Sequence, residues 1–251
     1  MTDKKALMGM WELPVLNDKG VLRGVVKLEN VLLEETSPVS KGLAGVERLV
    51  RPTVLVVGGT GYIGSVLTDE LLALGFEVKV LDIDLYDQGC NTKFIQHERF
   101  TYIKADICDL HAQVDAVKDV ESVVFLAEIV GDPSCAYVPE RALKTNFLAV
   151  SSMALLCGHL NINRFIYTSS CSVYGASEDP DVLLNENSYQ NPVSLYARMK
   201  SQTEQYLLSS LNPLFAPTIL RLATVFGHSF RPRFDLVVNT FAKGAFFDSE
   251  I

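Results

Sequence analysis

Tyr196 and Lys200 stand four residues apart in the stretch SLYARMK. On a helix that spacing puts both side chains on one face, a single turn from each other. A phenol beside an ammonium can be a proton-transfer pair: the cation favours the phenolate, and a phenolate accepts a proton from a hydroxyl. The same spacing also fits an ordinary amphipathic surface pair, so its meaning depends on what the rest of the chain supplies. A second stretch, GGTGYIG from Gly58 to Gly64, has a different aptitude. Its glycines permit a tight turn and let backbone N–H groups approach an anion. A helix opening there would turn its positive end toward that anion.

The elements that must position these groups follow from hydrophobic patterning. TVLVV, bounded by Pro52 and Gly58, is a short apolar run of the kind that forms a buried parallel strand. GYIGSVLTDELLALG follows with helical spacing and stops at Gly75, and EVKVLD is the next strand. FTYIKAD, SVVFLA, RFIYTSS and PTILRLA repeat the theme. Helical segments separate them, among them ERALKTNFLAVSSMALLCGHL and SLYARMKSQTEQYLLSSL. The alternation predicts an α/β fold with a doubly wound parallel sheet and right-handed crossovers.

In that context the glycine turn becomes specific. It follows a strand, opens a helix, and Asp82 closes the next strand about 20 residues later, as a dinucleotide fingerprint requires. Gly58, Gly61, Tyr62, Ile63 and Gly64 are therefore candidate cofactor-binding residues. Asp82 can accept both ribose hydroxyls of NAD, and its charge would meet a 2′-phosphate, which favours NAD over NADP. Asp106, after the strand TYIKA, is a candidate acceptor for an adenine amino group, with Ile107 packing on the ring. The plainer alternative is a helix N-cap at Asp106 or Asp109. Leu126, Ala127 and Glu128 end the fourth strand and are expected to line the crevice through their backbone, with the Glu128 side chain solvated.

Composition removes several classes of function. The chain has 251 residues and a net charge of −8, with no Lys/Arg run, which argues against nucleic acid as a partner. Its apolar runs are strand-length, too short for a membrane span. The start, MTDKKALMGMWELP, lacks the apolar run of a secretory signal. The five cysteines are scattered without CxxC spacing and are expected to stay reduced in the cytoplasm. The four histidines show no metal-ligand spacing, so no metal is expected. Residues 1–51 carry no clear period and are taken as an N-terminal extension of unknown role. GVLRGVVKLENVLL within it fits one or two short strands, or a hairpin around Asp18-Lys19-Gly20, and SPVSKGLAG fits a linker.

GGTGYIG, Asp82, ADI, FLA, Asn146 in KTNFLAV, SSCSVYG, YARMK and LRLATVFG occur in that order. Together they resemble the extended short-chain dehydrogenase/reductases, in the branch of nucleotide-sugar epimerases, dehydratases and 4-keto-reductases. The resemblance runs from Pro52 to the end of the chain. It implies an NAD-binding Rossmann-type domain, here residues 52–228, followed by a substrate domain of which residues 229–251 are only the start. It implies that Tyr196, Lys200, Ser170 and Asn146 are the catalytic group, with Tyr196 and Lys200 also against the cofactor. Ser170 is chosen because it lies five residues before Gly175; Ser169 is the competitor if that register slips. By resemblance Asn146 braces the backbone near Lys200 or a proton-relay water.

The same resemblance narrows the reaction. Sugar dehydratases of this kind carry acidic residues at the two positions after the catalytic Ser/Thr, and decarboxylases keep a Glu at the second; here these are Cys171 and Ser172. Cys171 is expected to pack as a small side chain behind the site. What remains is oxidation and reduction at one carbon, and the expectation is an NAD-dependent epimerase. A 4-ketoreductase, a dehydratase or a non-catalytic NAD-binding interaction protein are the alternatives. Candidate substrate contacts are Ser134, on a loop after the fourth strand, Ser170, Arg231 and Asn239. Arg233 is a further candidate for nucleotide phosphates, and Leu222 to Val225 should pass beside the nicotinamide. By resemblance the partners are a nucleotide-sugar and a second copy of the chain in a homodimer.

Overall fold

The computed structural model describes residues 12–16, 22–27, 52–85, 93–176, 183–210 and 212–247. The chain divides into two compact units, Met1–Leu49 with Asp179–Asn185, and Val50–Glu178 with Glu186–Ile251. In the smaller unit β1 (Glu12–Leu16) pairs antiparallel with β2 (Leu22–Lys27), from Glu12↔Lys27 to Leu16↔Leu22, with an irregularity between Val15 and Leu16. The turn expected at Asp18 to Gly20 and the linker SPVSKGLAG lie outside the described residues, as does Cys90.

The larger unit is built on six parallel strands. They are β3 (Thr53–Val57), β4 (Glu77–Asp82), β5 (Phe100–Lys104), β6 (Ser122–Phe125), β7 (Arg164–Ser170) and β8 (Ala216–Leu222). Their order across the sheet is β5-β4-β3-β6-β7-β8. The chain therefore builds outward from β3 in one direction, then returns to β3 and builds in the other. In open α/β sheets, ligands bind at that reversal, outside the carboxyl ends of the strands. Val54 to Val57 are fully buried, which is why β3 reads as a continuous apolar run rather than an alternating one. Phe125, Phe165 and Phe215 stack in sequence behind it, with ring centroids 6.2 and 5.7 Å apart. Each such ring contributes roughly 1.5–3 kcal/mol by leaving water.

The helices carry the site. α1 (Gly64–Ala73) starts straight from the glycine turn and buries Leu67, Leu71 and Leu72. α2 (Leu110–Ala116) is capped by Asp109, which accepts the His111 N–H at 2.9 Å. After β6 come two short helices, α3 (Asp132–Tyr137) and α4 (Pro139–Leu143). The helix predicted over residues 140–160 is not uniform. α4 passes through a wider π turn at Lys144–Leu148 before continuing as α5 (Ala149–His159). Such turns add a residue to the helical register and recur at functional sites; this one turns Asn146 inward.

α6 (Leu195–Leu208) is capped by Ser194, whose Oγ accepts the Ala197 N–H at 3.1 Å. Its buried face includes Tyr196, Met199, Lys200, Thr203 and Leu207, a helical stripe in which the phenol and the ammonium share the inner side. α7 (Val237–Phe247) closes the described chain. Among the described residues no helix is long and apolar enough to cross a membrane.

Candidate active site

A cleft of about 960 Å³ opens along the carboxyl ends of β3, β4, β6 and β7. The glycine turn lies near its middle, at the end of the central strand β3. Gly58 has φ +89°, and a Cβ there would sit 2.6 Å from the Ala127 nitrogen, so the turn lies flat against the end of β6 only because Gly58 has no side chain. No side chain caps α1, and its first turn holds no acidic residue, so no side chain competes with an anion at its start. Gly61, Tyr62, Ile63 and Gly64 line this wall. The turn is tied from behind. The Tyr62 hydroxyl donates to the Gly227 carbonyl at 2.9 Å, and Ser229 Oγ donates to the Tyr62 carbonyl at 2.6 Å.

Asp82 sits at the end of β4 beside the turn. Its Oδ2 accepts the Thr60 N–H at 3.0 Å and its Oδ1 the Asp84 N–H at 2.9 Å. Each oxygen has a second lone pair for a ribose hydroxyl. Further along, Asp106 and Ile107 line the cleft. The Asp106 carboxylate already accepts the Cys108 N–H at 2.9 Å and pairs with Arg141 at 2.8 Å. Burial acts to raise its pKa, but these two donors outweigh it and hold the carboxyl below its ordinary value. The helix cap is Asp109, not Asp106. Arg141, which sequence reasoning missed, therefore lines the cleft through Asp106; nothing in its local pattern marks it, because the contact spans 35 residues.

On the β7 side the cleft gathers the three residues expected to move a proton. Tyr196 and Lys200 reach it from α6, and Ser170 from the end of β7. The Ser170 hydroxyl accepts the Ser172 N–H at 3.2 Å and donates to Ser172 Oγ at 3.0 Å, so it caps the 3₁₀ turn Cys171–Tyr174 while facing the cleft. Ser169 also lines the cleft, but its hydroxyl is committed to the buried Glu204. Cys171 differs from expectation: it is exposed and lines the cleft, at the start of the 3₁₀ turn that follows β7. Asn146 lies behind the wall. Its Oδ1 accepts the Ile129 N–H at 2.9 Å and its Nδ2 donates to the Ile129 carbonyl at 2.8 Å. It thus holds the segment leaving β6.

Glu128 corrects the sequence reading most clearly. Its side chain is not solvated but 3% exposed, and it forms an ion pair with Lys200 while accepting the Tyr167 hydroxyl at 2.9 Å. Lys200 also donates to the Thr168 carbonyl. Burial raises the pKa of the Tyr196 phenol well above its ordinary value, the Glu128 charge raises it further, and the Ser170 hydroxyl acts in the opposite sense. In this arrangement the ammonium of Lys200 is engaged by a carboxylate rather than left to favour the phenolate.

Leu126, Ala127, Ser134, Arg231 and Leu222 to Val225 also line the cleft, with Ser134 on α3 rather than on a loop. Arg233 lines it too and pairs with Asp235 through Nε at 3.1 Å. Asn239 does not line it. Its amide donates to Tyr62 Oη at 3.0 Å and to the Arg233 carbonyl at 2.9 Å, and accepts the Gly227 N–H at 3.1 Å. All of its hydrogen-bonding atoms are therefore directed inward, bracing the segment behind the glycine turn.

The NAD-dependent epimerase/dehydratase family model matches residues 54–245. The chain belongs to this family. Its members use NAD, and the flat glycine turn, the uncapped start of α1 and the spare lone pairs of Asp82 fit that cofactor. The chain is 31% identical to Protein CapI of Staphylococcus aureus over 79% of its own length and 61% of that protein's. It is 29% identical to UDP-glucuronic acid decarboxylase 1 of Xenopus tropicalis over 68% of its length and 42% of the relative's. Among solved structures, a UDP-N-acetylglucosamine 4-epimerase from Methanobrevibacter ruminantium superposes with a TM-score of 0.71 at 30% identity, covering 80% of this chain and 64% of that one. A UDP-glucuronic acid 4-epimerase from Bacillus cereus, in complex with NAD, gives 0.68 at 25% identity over 78% and 64%. The chain thus spans less than two thirds of the length of these relatives.

Proposed function

We propose that the protein is an NAD-dependent nucleotide-sugar epimerase that removes hydride from a sugar carbinol and returns it to the other face of a 4-keto intermediate. The observation that carries this reading is the convergence of Ser170, Tyr196 and Lys200 on the same cleft that the glycine turn lines. Gly58, Gly61 and Gly64 with the start of α1 would hold the pyrophosphate, Asp82 the adenosine ribose, and Lys200 the second ribose. NAD, when bound, takes up the hydride and gives it back. Tyr196 Oη receives the carbinol proton as the C–H bond is lost and supplies it again on the return. The Ser170 hydroxyl holds the substrate oxygen and stabilises its charge. Cys171 and Ser172 offer no carboxyl pair for eliminating water, which favours simple redox over dehydration.

A second reading, a nucleotide-sugar 4-ketoreductase, would use the same Ser170, Tyr196 and Lys200 group for the return half alone. Exposed Leu155 on α5 and Leu208 on α6 support the two long helices as a homodimer contact. The full-length protein incubated with NAD and a panel of UDP-, dTDP- and GDP-sugars, followed by NMR, tests the proposal. Appearance of a C4 epimer is expected, and normal NAD binding with no change in any sugar would overturn the reading.

A further inference from the structure

Lys200 and Glu128 form a buried pair on the β7 side of the cleft, and both line it. Away from the cleft the pair is buried among protein groups. From β7, Tyr167 donates to Glu128 Oε1 at 2.9 Å, and the Thr168 carbonyl accepts from Lys200. Lys200 Nζ stands 4.7 Å from the centre of the Tyr167 ring and 5.6 Å from that of Tyr196. Cys135 of α3 and Glu204 of α6 are the remaining titratable groups that act on Lys200. Two of the three ammonium donors are thus committed to Glu128 and Thr168, and the third is left for the cleft.

Burial pushes Glu128 up and Lys200 down, while each favours the charged form of the other. Whether the proton rests on the amine or the carboxyl, the pair has no net charge. This matters because the nicotinamide ring is positively charged only when oxidised. A lone buried ammonium beside it would repel the oxidised ring and leave the reduced ring untouched. We infer that Glu128 is a positioning residue that neutralises Lys200 within the NAD cleft and so lets the cleft hold oxidised NAD as readily as NADH. The inference rests on NAD occupying the cleft and not on the sugar reaction.

The test is the ratio of dissociation constants for NAD and NADH, measured calorimetrically on the full-length protein between about pH 6 and pH 9. The wild-type ratio is expected to be flat. In Glu128→Gln, which keeps an acceptor for the Tyr167 hydroxyl, the ratio should shift against NAD by about tenfold or more at the acid end. It should return toward the wild-type value as pH rises and the uncompensated Lys200 loses its proton. Glu128→Asp, which keeps the charge, should keep the wild-type ratio, and Glu128→Ala serves in place of the Gln variant if that fails to fold. A ratio equal to wild type at every pH in the Gln or Ala variant would overturn the inference. No sugar is involved, so the predicted shift in a protein that turns over no sugar would uphold this inference while removing the epimerase reading.

Discussion

Asn146 grips Ile129 at both ends of its peptide environment, accepting its N–H at 2.9 Å and donating to its carbonyl at 2.8 Å. Ile129 directly follows Glu128, so the π turn that points Asn146 inward also fixes the segment carrying the partner of Lys200. Asn146→Ala would leave both Ile129 groups without those bonds. A loss of about 1–3 kcal/mol is expected in denaturant unfolding, because the Ile129 N–H loses its partner and its carbonyl keeps only the Cys135 thiol. Turnover should fall with it. An unchanged unfolding midpoint would contradict this role.

The pH dependence follows from Tyr196. Burial, then the Glu128 charge, raises its phenol above the ordinary value, against the Ser170 hydroxyl. Below that raised pKa the phenol keeps its proton, and the phenolate fraction grows as pH rises. The oxidation half-reaction should therefore speed up by about tenfold per pH unit around neutrality, and the reduction half should not. Stopped-flow rates of each half-reaction across pH check this, and an oxidation rate independent of pH would count against Tyr196 as the proton acceptor.

In the proposed site Asp82 would set the choice of cofactor through its charge at the end of β4. Asp82→Asn keeps an oxygen for the Thr60 or Asp84 N–H but removes the repulsion of a 2′-phosphate. The affinity for NADP relative to NAD should rise about tenfold. Titration of both nucleotides against the variant measures it; no change in the ratio would remove Asp82 from the ribose site.

Gly64 permits α1 to spring from the turn. A Cβ there would lie 2.1 Å from the Gly58 carbonyl oxygen, and backbone cannot yield as a flexible side chain would. Gly64→Ala should cost about 1–3 kcal/mol of stability and abolish NAD binding. Thermal melting with and without NAD tests both, the variant being expected to show no NAD-dependent rise.

The residues legible in the sequence are those whose geometry is local. The glycine turn, Asp82, Ser170 and the Tyr196–Lys200 pair are fixed by a turn, a strand end or a helical spacing. The parallel sheet was legible for the same reason, since buried strands between helical segments leave few arrangements. The contacts that escaped notice join distant segments. Arg141 meets Asp106 across 35 residues, and Glu128 is buried because β7 places Tyr167 against it across 39. Asn239 resembled a substrate ligand by position, yet its amide is consumed in bracing Tyr62 and Gly227, which no local pattern reveals.

The most direct test of the account uses a nucleotide-sugar substrate carrying deuterium at C4, incubated with the full-length protein and NAD. The account predicts a C4-epimeric product that keeps the deuterium, with conversion lowered at least about a hundredfold in Tyr196→Phe. Loss of the label to water, or equal conversion by Tyr196→Phe, would contradict it.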